Sequence, residues 1–324
     1  MQSAPPAVPT VLAAAPLGSQ VASTLFASLS RVIRGKPTEL RLIIATLLSG
    51  GHILVEDVPG VGKTLLAKSL AASIGGTFRR VQGTPDLLPA DLTGVAIYRR
   101  STESWHFRPG PLFANVVIVD EINRATPRTQ AALLEAMEER QVSVDGTTHP
   151  LPDPFFLIAT QNPFEHAGTF PLVEGQLDRF SAIFEMGLPD RETERGLLMG
   201  DGGAGQLSGL QAVVSPENLA RAIQEVRSLH CSEAVANYIL DIVTATRHHP
   251  EISLGASPRA SLGLLAVARG HATTVGQRFV TPDDVKAVAG SVLSHRIILS
   301  GGTNVTAARS IMDDVLRSVT VPRG

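Results

Sequence analysis

The stretch LVEDVPGVGKTLLAK, Leu54 to Lys68, joins a short apolar run to an apolar helical pattern through a glycine-containing turn. Gly62-Lys63-Thr64 closes the phosphate-loop pattern G-x-x-x-x-G-K-[ST], but Asp57 stands where that pattern has its first glycine. Loops of this kind hold phosphate chiefly with backbone N–H groups and a helix N-terminus, so most of their side chains are replaceable. The first position calls for an unusual backbone conformation, and Asp is among the few non-glycine residues that tolerate one. The expectation is therefore a nucleotide-binding loop made of Asp57, Val58, Pro59, Gly60, Val61, Gly62, Lys63, Thr64 and Leu65. Lys63 is placed for the β- and γ-phosphates of ATP, and Thr64 for a Mg²⁺ ion.

Working outward, helical periodicity covers 20–34 and 38–49, the second ending at Gly50-Gly51. HILVE (52–56) and FRRVQ (78–82) read as strands on either side of a helix from Lys63 to about Ile74. VVIVD (116–120) has no polar interruption before its last residue, as in a central parallel strand covered on both faces. PRTQAALLEAMEER (127–140) reads as a helix with Pro127 in its first turn and Leu133, Leu134 and Met137 on one face. PFFLIAT (154–160) and FSAIFEMG (180–187) supply two more strands. This alternation argues an α/β fold with a mostly parallel sheet. QVSVDGTTHPLPDP (141–154) turns at Asp145-Gly146 and reads as a hairpin, and RRSTESWHFRPG (99–110) as a solvated one. GDGGAGQLSG (200–209) marks a linker at 201–214. Beyond it the pattern is helical at 215–229, 232–247, 258–274, 281–296 and 303–318, with no strand expected. Ser215-Pro216 and Thr281-Pro282 look like an N-cap followed by proline at the first helical position. The expected organisation is a tail over 1–18, an α/β domain over 19–200, and an all-helical domain over 215–324.

VVIVDEINRA adds a second nucleotide-handling element. Asp120 at the strand end is suited to hold Mg²⁺ through water, and Glu121 to polarise an attacking water. Taken with Lys63 and Thr64, the pair points to binding of ATP, with Asp57 a tolerated deviation.

DEINRATPRTQAALLEAMEERQVSVDG, IATQNPFEHAGTFPLVEGQLDRF and GASPRA together resemble the MoxR group of AAA+ ATPases, from about Val32 to Ile297. The resemblance implies a P-loop core with a C-terminal helical lid, ATP and Mg²⁺ held between the two domains, and chaperone-like remodelling of partner complexes. It implies a hexameric ring, and a partner bearing a von Willebrand factor A domain. It also implies site roles: Asn162 as a polar sensor that orients the water, and Arg179 as an arginine finger offered to a neighbouring subunit. Arg259 is implied as a second sensor reaching the γ-phosphate of its own chain. A guanidinium suits both of these posts, because it stays charged and can bind two phosphate oxygens at once.

Composition narrows the alternatives. Over 324 residues, 28 Lys and Arg nearly balance 30 Asp and Glu, so no global pull towards nucleic acid exists. The single cysteine, Cys231, cannot form an internal disulfide and fits a reducing cytoplasm as a small apolar residue. No apolar run is long enough to span a membrane, and the first residues, rich in Ala and Pro, lack the basic start of a signal peptide. His230, Cys231, His248 and His249 do not repeat at a zinc spacing. Two rivals are weighed: an ATP-binding scaffold that hydrolyses slowly, and a motor stimulated by nucleic acid. The first is disfavoured by the presence of Lys63, Asp120, Glu121, Asn162 and Arg179, and the second by the charge balance.

Overall fold

Val116, Val117, Ile118, Val119 and Asp120 are all buried, and the strand they form lies inside the sheet with a neighbour on each side. The computed structural model describes residues 15–163, 168–302 and 305–322. In chain order the first half comprises α1 (Leu17–Val32), α2 (Pro37–Leu48), β1 (Ile53–Glu56), α3 (Lys63–Ser73), β2 (Phe78–Gln82), α4 (Pro89–Thr93), β3 (Gly94–Arg99), β4 (Ser104–Pro109), β5 (Val116–Asp120), α5 (Pro127–Glu139), β6 (Gln141–Val144), β7 (Thr147–Pro150) and β8 (Phe156–Gln161). The second half comprises α6 (Glu174–Leu177), β9 (Ala182–Phe184), α7 (Arg191–Leu198), α8 (Ala204–Leu207), α9 (Pro216–Arg227), α10 (Glu233–His248), β10 (Ile252–Leu254), α11 (Pro258–Thr274), α12 (Pro282–Leu293), β11 (Ile298–Leu299) and α13 (Val305–Ser318).

The five-stranded sheet has the order β2-β5-β8-β1-β9, and every pairing within it is parallel. Alternate residues of a strand point to opposite faces, and the two faces bury different partners. Ile53, Val55, Val116, Ile118 and Ile158 pack with α1, α2 and α3, in a core that continues into α9–α13. Leu54, Val117, Val119 and Leu157 pack with Leu133, Leu134 and Met137 of α5. This is the α/β fold with a helical C-terminal region that the alternation of elements called for.

The helical region does not hang free of the sheet. At Gly270 of α11 an added Cβ would lie 2.1 Å from the Ala45 carbonyl oxygen of α2, so only glycine allows this helix crossing. Its helices begin where the side chains say they should. Ser215, Ser232 and Ser257 each accept a hydrogen bond from the backbone N–H three residues on, and Thr281 and Asp284 form a reciprocal capping box. The expected linker is also pinned: Gly203 N donates to Val32 O at 3.0 Å, and Val213 N to Ser73 O at 2.8 Å. Among the described residues no helix is long and apolar enough to cross a membrane.

Several expectations need correcting. The helix expected from residue 20 begins at Leu17, inside the proposed tail, whose residues 1–14 lie outside the described ones. The linker region carries the short helix α8. The C-terminal region contains a two-stranded ladder, Ile252 opposite Leu299 and Leu254 opposite Ile298, too short to leave an alternation in the sequence. The expected strand over 180–187 shrinks to Ala182–Phe184. Both hairpins form, but the first spans 94–109 rather than 99–110.

Candidate functional site

The sheet is parallel, so the carboxyl ends of β1, β5 and β8 open on the same edge. There they form a cleft of about 330 Å³ with the loop before α3. It is lined by Asp57, Pro59, Gly60, Gly62, Lys63, Thr64 and Leu65 of the loop, Arg80 and Gln82 of β2, Asp120 and Glu121, and Thr160, Gln161 and Asn162. The predicted loop residues therefore meet Asp120, Glu121 and Asn162 in one place. Val58 and Val61 belong to the loop but do not line the cleft, and Val61 packs against the core.

Gly60 and Gly62 have φ of 92° and 95°, and nothing lies within 4 Å of a Cβ at either, so conformation rather than space requires glycine. The conformational reason given for Asp57 does not hold. Asp57 is absent from the positive-φ residues and is held by its side chain instead. Oδ2 accepts from Gly187 N at 2.7 Å and Oδ1 from Val58 N at 2.8 Å, and the residue is 7% exposed. Asp57 thus ties the loop to the chain leaving β9. Its carbonyl oxygen and that of Val58 accept from Lys63 Nζ at 2.8 and 3.1 Å. Burial lowers the Lys63 pKa, opposed by the carboxylates of Asp57, Asp120 and Glu121.

At the end of β5, Asp120 Oδ2 pairs with Arg80 Nε at 2.7 Å. Glu121 adopts φ 55°, and its N–H donates to Thr160 Oγ1 at 3.1 Å. Its Oε2 accepts from Gln82 Nε2 at 2.7 Å and from Arg124 Nη1 at 3.2 Å. A Cβ at Gly83 would meet the Glu121 carbonyl oxygen at 2.2 Å, so the residue after β2 must be glycine for the backbone to pass. Behind the loop, Glu56 accepts from Gln161 Nε2, and burial pushes its carboxyl above the usual range.

The two arginines lie elsewhere. Arg179 Nε pairs with Glu138 Oε2 at 3.1 Å, and Arg259 Nη2 pairs with Glu138 Oε1 at 2.9 Å. Arg259 also faces Asp178 Oδ2 at 3.5 Å, and Asp178 is anchored by Arg296 Nε at 2.7 Å. Neither Arg179 nor Arg259 lines the cleft of its own chain, and every lining residue lies between Asp57 and Asn162. In this arrangement Arg259 rests on Glu138 and Asp178 rather than on the cleft. α11 docks on α2 at Gly270 and reaches α5 through Arg259 and Glu138.

Residues 52–182 match the model of the ATPase family associated with various cellular activities, AAA, and residues 244–315 match that of the AAA lid domain. Chaperone MoxR1 of Mycobacterium tuberculosis is 39% identical over 90% of this chain and 80% of its own length. The chain belongs to the MoxR family of AAA+ ATPases. Uncharacterized protein YeaC of Bacillus subtilis is 44% identical over 91% of the chain and 92% of its own length. A solved structure of a candidate ATPase from Cytophaga hutchinsonii superposes with a TM-score of 0.85 at 35% identity, covering 94% of this chain and 96% of that one. In this MoxR-family chain, sequence reasoning missed Arg80, Gln82, Thr160 and Glu138. The alternation of FRRVQ did place Arg80 and Gln82 on one face of β2, a signal that needed the neighbouring strand to acquire meaning.

Hard oxygen donors fit a Mg²⁺ ion: the Thr64 hydroxyl and the Asp120 carboxylate, with phosphate and water completing the shell. Among the described residues no cluster of three or more His, Cys, Asp or Glu offers an all-protein metal cage.

Proposed function

We infer that this chain is an ATP hydrolase that works as a chaperone-like machine, maturing or activating partner protein complexes. The observation carrying this reading is the convergence of Lys63, Thr64, Asp120, Glu121 and Asn162 on one cleft behind a loop with two left-handed glycines. The N–H groups of the loop and of the first turn of α3 would hold the phosphates, with Lys63 turning its ammonium from the loop carbonyls to them. Thr64 and Asp120 would hold Mg²⁺, which when bound neutralises charge on the phosphate oxygens. Glu121 would accept a proton from the attacking water, and Asn162 would orient that water.

Arg259, 53% exposed, is read as the second sensor of its own chain's γ-phosphate, and Arg179, 33% exposed and held on the same Glu138, as a finger presented to a neighbouring subunit's nucleotide. That requires head-to-tail contacts, which close into a ring, read here as a hexamer. The chaperone reading rests on the name of the Mycobacterium relative. A partner with a von Willebrand factor A domain and a cytoplasmic location complete the proposal. A slow regulatory scaffold is the second reading, and two contacts favour it: Glu121 is drawn onto Gln82 and onto Arg124. Steady-state phosphate release separates the two. Turnover should be lost with analogue binding in Lys63→Ala, and lost without it in Glu121→Gln. A wild-type ring with no release above background supports the scaffold, and stimulation by DNA at low salt would revive a nucleic-acid role.

A further inference from the structure

Arg80 takes no part in the chemistry just described, yet it covers one of its key atoms. Strands β2 and β5 pair with Arg80 opposite Ile118 and Gln82 opposite Asp120. Residues two apart share a face, so Arg80 reaches diagonally along the sheet and sets Nε 2.7 Å from Asp120 Oδ2. The other oxygen, Oδ1, accepts from Thr160 Oγ1 at 3.4 Å. The pair is asymmetric. The Asp120 side chain is 11% exposed at the end of β5, whereas that of Arg80 is 54% exposed.

A carboxylate this buried is costly to leave without a cation. The same carboxylate is the one a hydrated divalent ion would approach, and a guanidinium on Oδ2 competes with that ion's water for its lone pairs and lowers the negative charge it presents. Resting on the assignment of Asp120 to the metal side of the site, we propose that Arg80 is the resting counter-ion of Asp120, displaced when a hydrated divalent cation enters with the nucleotide. Asp120 is then paired in both states, and its position at the strand end does not depend on the cation. Arg80 also sets the cation concentration at which the filled state forms, because the incoming ion must compete with a guanidinium already in place. The exposure of Arg80 keeps the pair weak, so the competition is modest in size and reversible.

The test is equilibrium binding of a fluorescent, non-hydrolysable ATP analogue to the full chain, titrated with Mg²⁺ and repeated in EDTA. Wild type is compared with Arg80→Ala, Arg80→Gln and Asp120→Asn. Both Arg80 variants should lower the half-saturating Mg²⁺ about two- to fivefold, the range expected for losing an exposed ion pair, and leave affinity in EDTA unchanged. Mn²⁺ titrated in the presence of ADP, with the free ion followed by electron paramagnetic resonance, should shift in the same direction. An unchanged cation dependence in both Arg80 variants overturns the proposal. So does weakened binding in EDTA, which would make Arg80 a phosphate ligand. Asp120→Asn separates the underlying assignment from this one. If it keeps the wild-type Mg²⁺ requirement, Asp120 is not on the metal side and both fall. If it raises the requirement while the Arg80 variants stay silent, only the role of Arg80 is lost.

Discussion

Replacing Asp57 by the glycine that the phosphate-loop pattern prefers should destabilise this protein. The Asp57 carboxylate accepts two backbone N–H groups, one local from Val58 and one from Gly187, 130 residues away. The second is the informative bond, since it fastens the loop to the chain after β9. A hydrogen bond to a charged group contributes about 1.5–3 kcal/mol, and an added glycine costs about 0.5–1 kcal/mol in unfolded-state entropy. Asp57→Gly should therefore lose about 2–4 kcal/mol. With an unfolding entropy of roughly 2.1 cal/mol/K per residue over 324 residues, that is about 3–6 °C in Tm. Asp57→Asn keeps one acceptor oxygen and should fall by about half as much. ATP-analogue affinity should not decrease in either variant, because each removes a negative charge beside Lys63. Thermal and urea unfolding, paired with analogue binding, measure both quantities. A Tm for Asp57→Gly within about 1 °C of wild type would mean the tether contributes nothing. A tenfold loss of binding would mean the carboxylate serves the ligand directly.

Gly270→Ala places a Cβ against the Ala45 carbonyl, so α11 should be pushed off α2 at a cost of about 1–3 kcal/mol; urea denaturation reads the loss, and unchanged stability would show that the crossing can spread freely. His52, buried between Leu157 N and Met137 O, has its pKa lowered from 6.5 to about 3 by burial. The unfolded chain therefore takes up this proton first, and stability contributed by neutral His52 is full above pH 6.5 and lost towards pH 3, by about 1.4 kcal/mol per unit. Urea melts at stepped pH should show a shallower acid decline in His52→Asn than in wild type, after allowing for the opposite sign of Glu56. Arg179→Ala should reduce turnover about 10³-fold with little change in nucleotide binding. Mixtures of Arg179→Ala and Glu121→Gln subunits, once shown to exchange, should regain partial phosphate release; silence in the mixture and in a covalently linked dimer carrying one mutation per half would place Arg179 outside a neighbour's site.

The P-loop, the central strand and Asp120-Glu121 were legible because each depends on local chemistry: two glycines, an uninterrupted β-branched run, a strand-end acid pair. The lid helices were legible through their Ser and Thr caps. What escaped depended on partners distant in the chain. Asp57 looked like a conformational compromise because nothing near it in sequence announces Gly187. Arg80 and Gln82 looked like an ordinary exposed strand because Asp120 and Glu121 lie some 40 residues away. The Glu138 carboxylate that Arg179 and Arg259 share was not legible, because α5 and α11 are far apart in the chain.

Helix α5 leaves the acid pair at one end and enters a hairpin at the other: Arg140, with φ 55°, turns its last carbonyls straight into β6. The Phe107 and His149 rings stack at 3.8 Å, so the hairpin it carries is coupled to the β3–β4 hairpin as well. Thirteen residues make α5 a rod about 20 Å long. Pivoted near Glu121, a tilt of about 10° would sweep its far end through roughly 3 Å. A displacement too small to notice among the catalytic carboxylates would thus arrive at both hairpin tips as a stroke of atomic-contact size, which distances between spin labels on Asp145 and Thr24, with and without nucleotide, can measure.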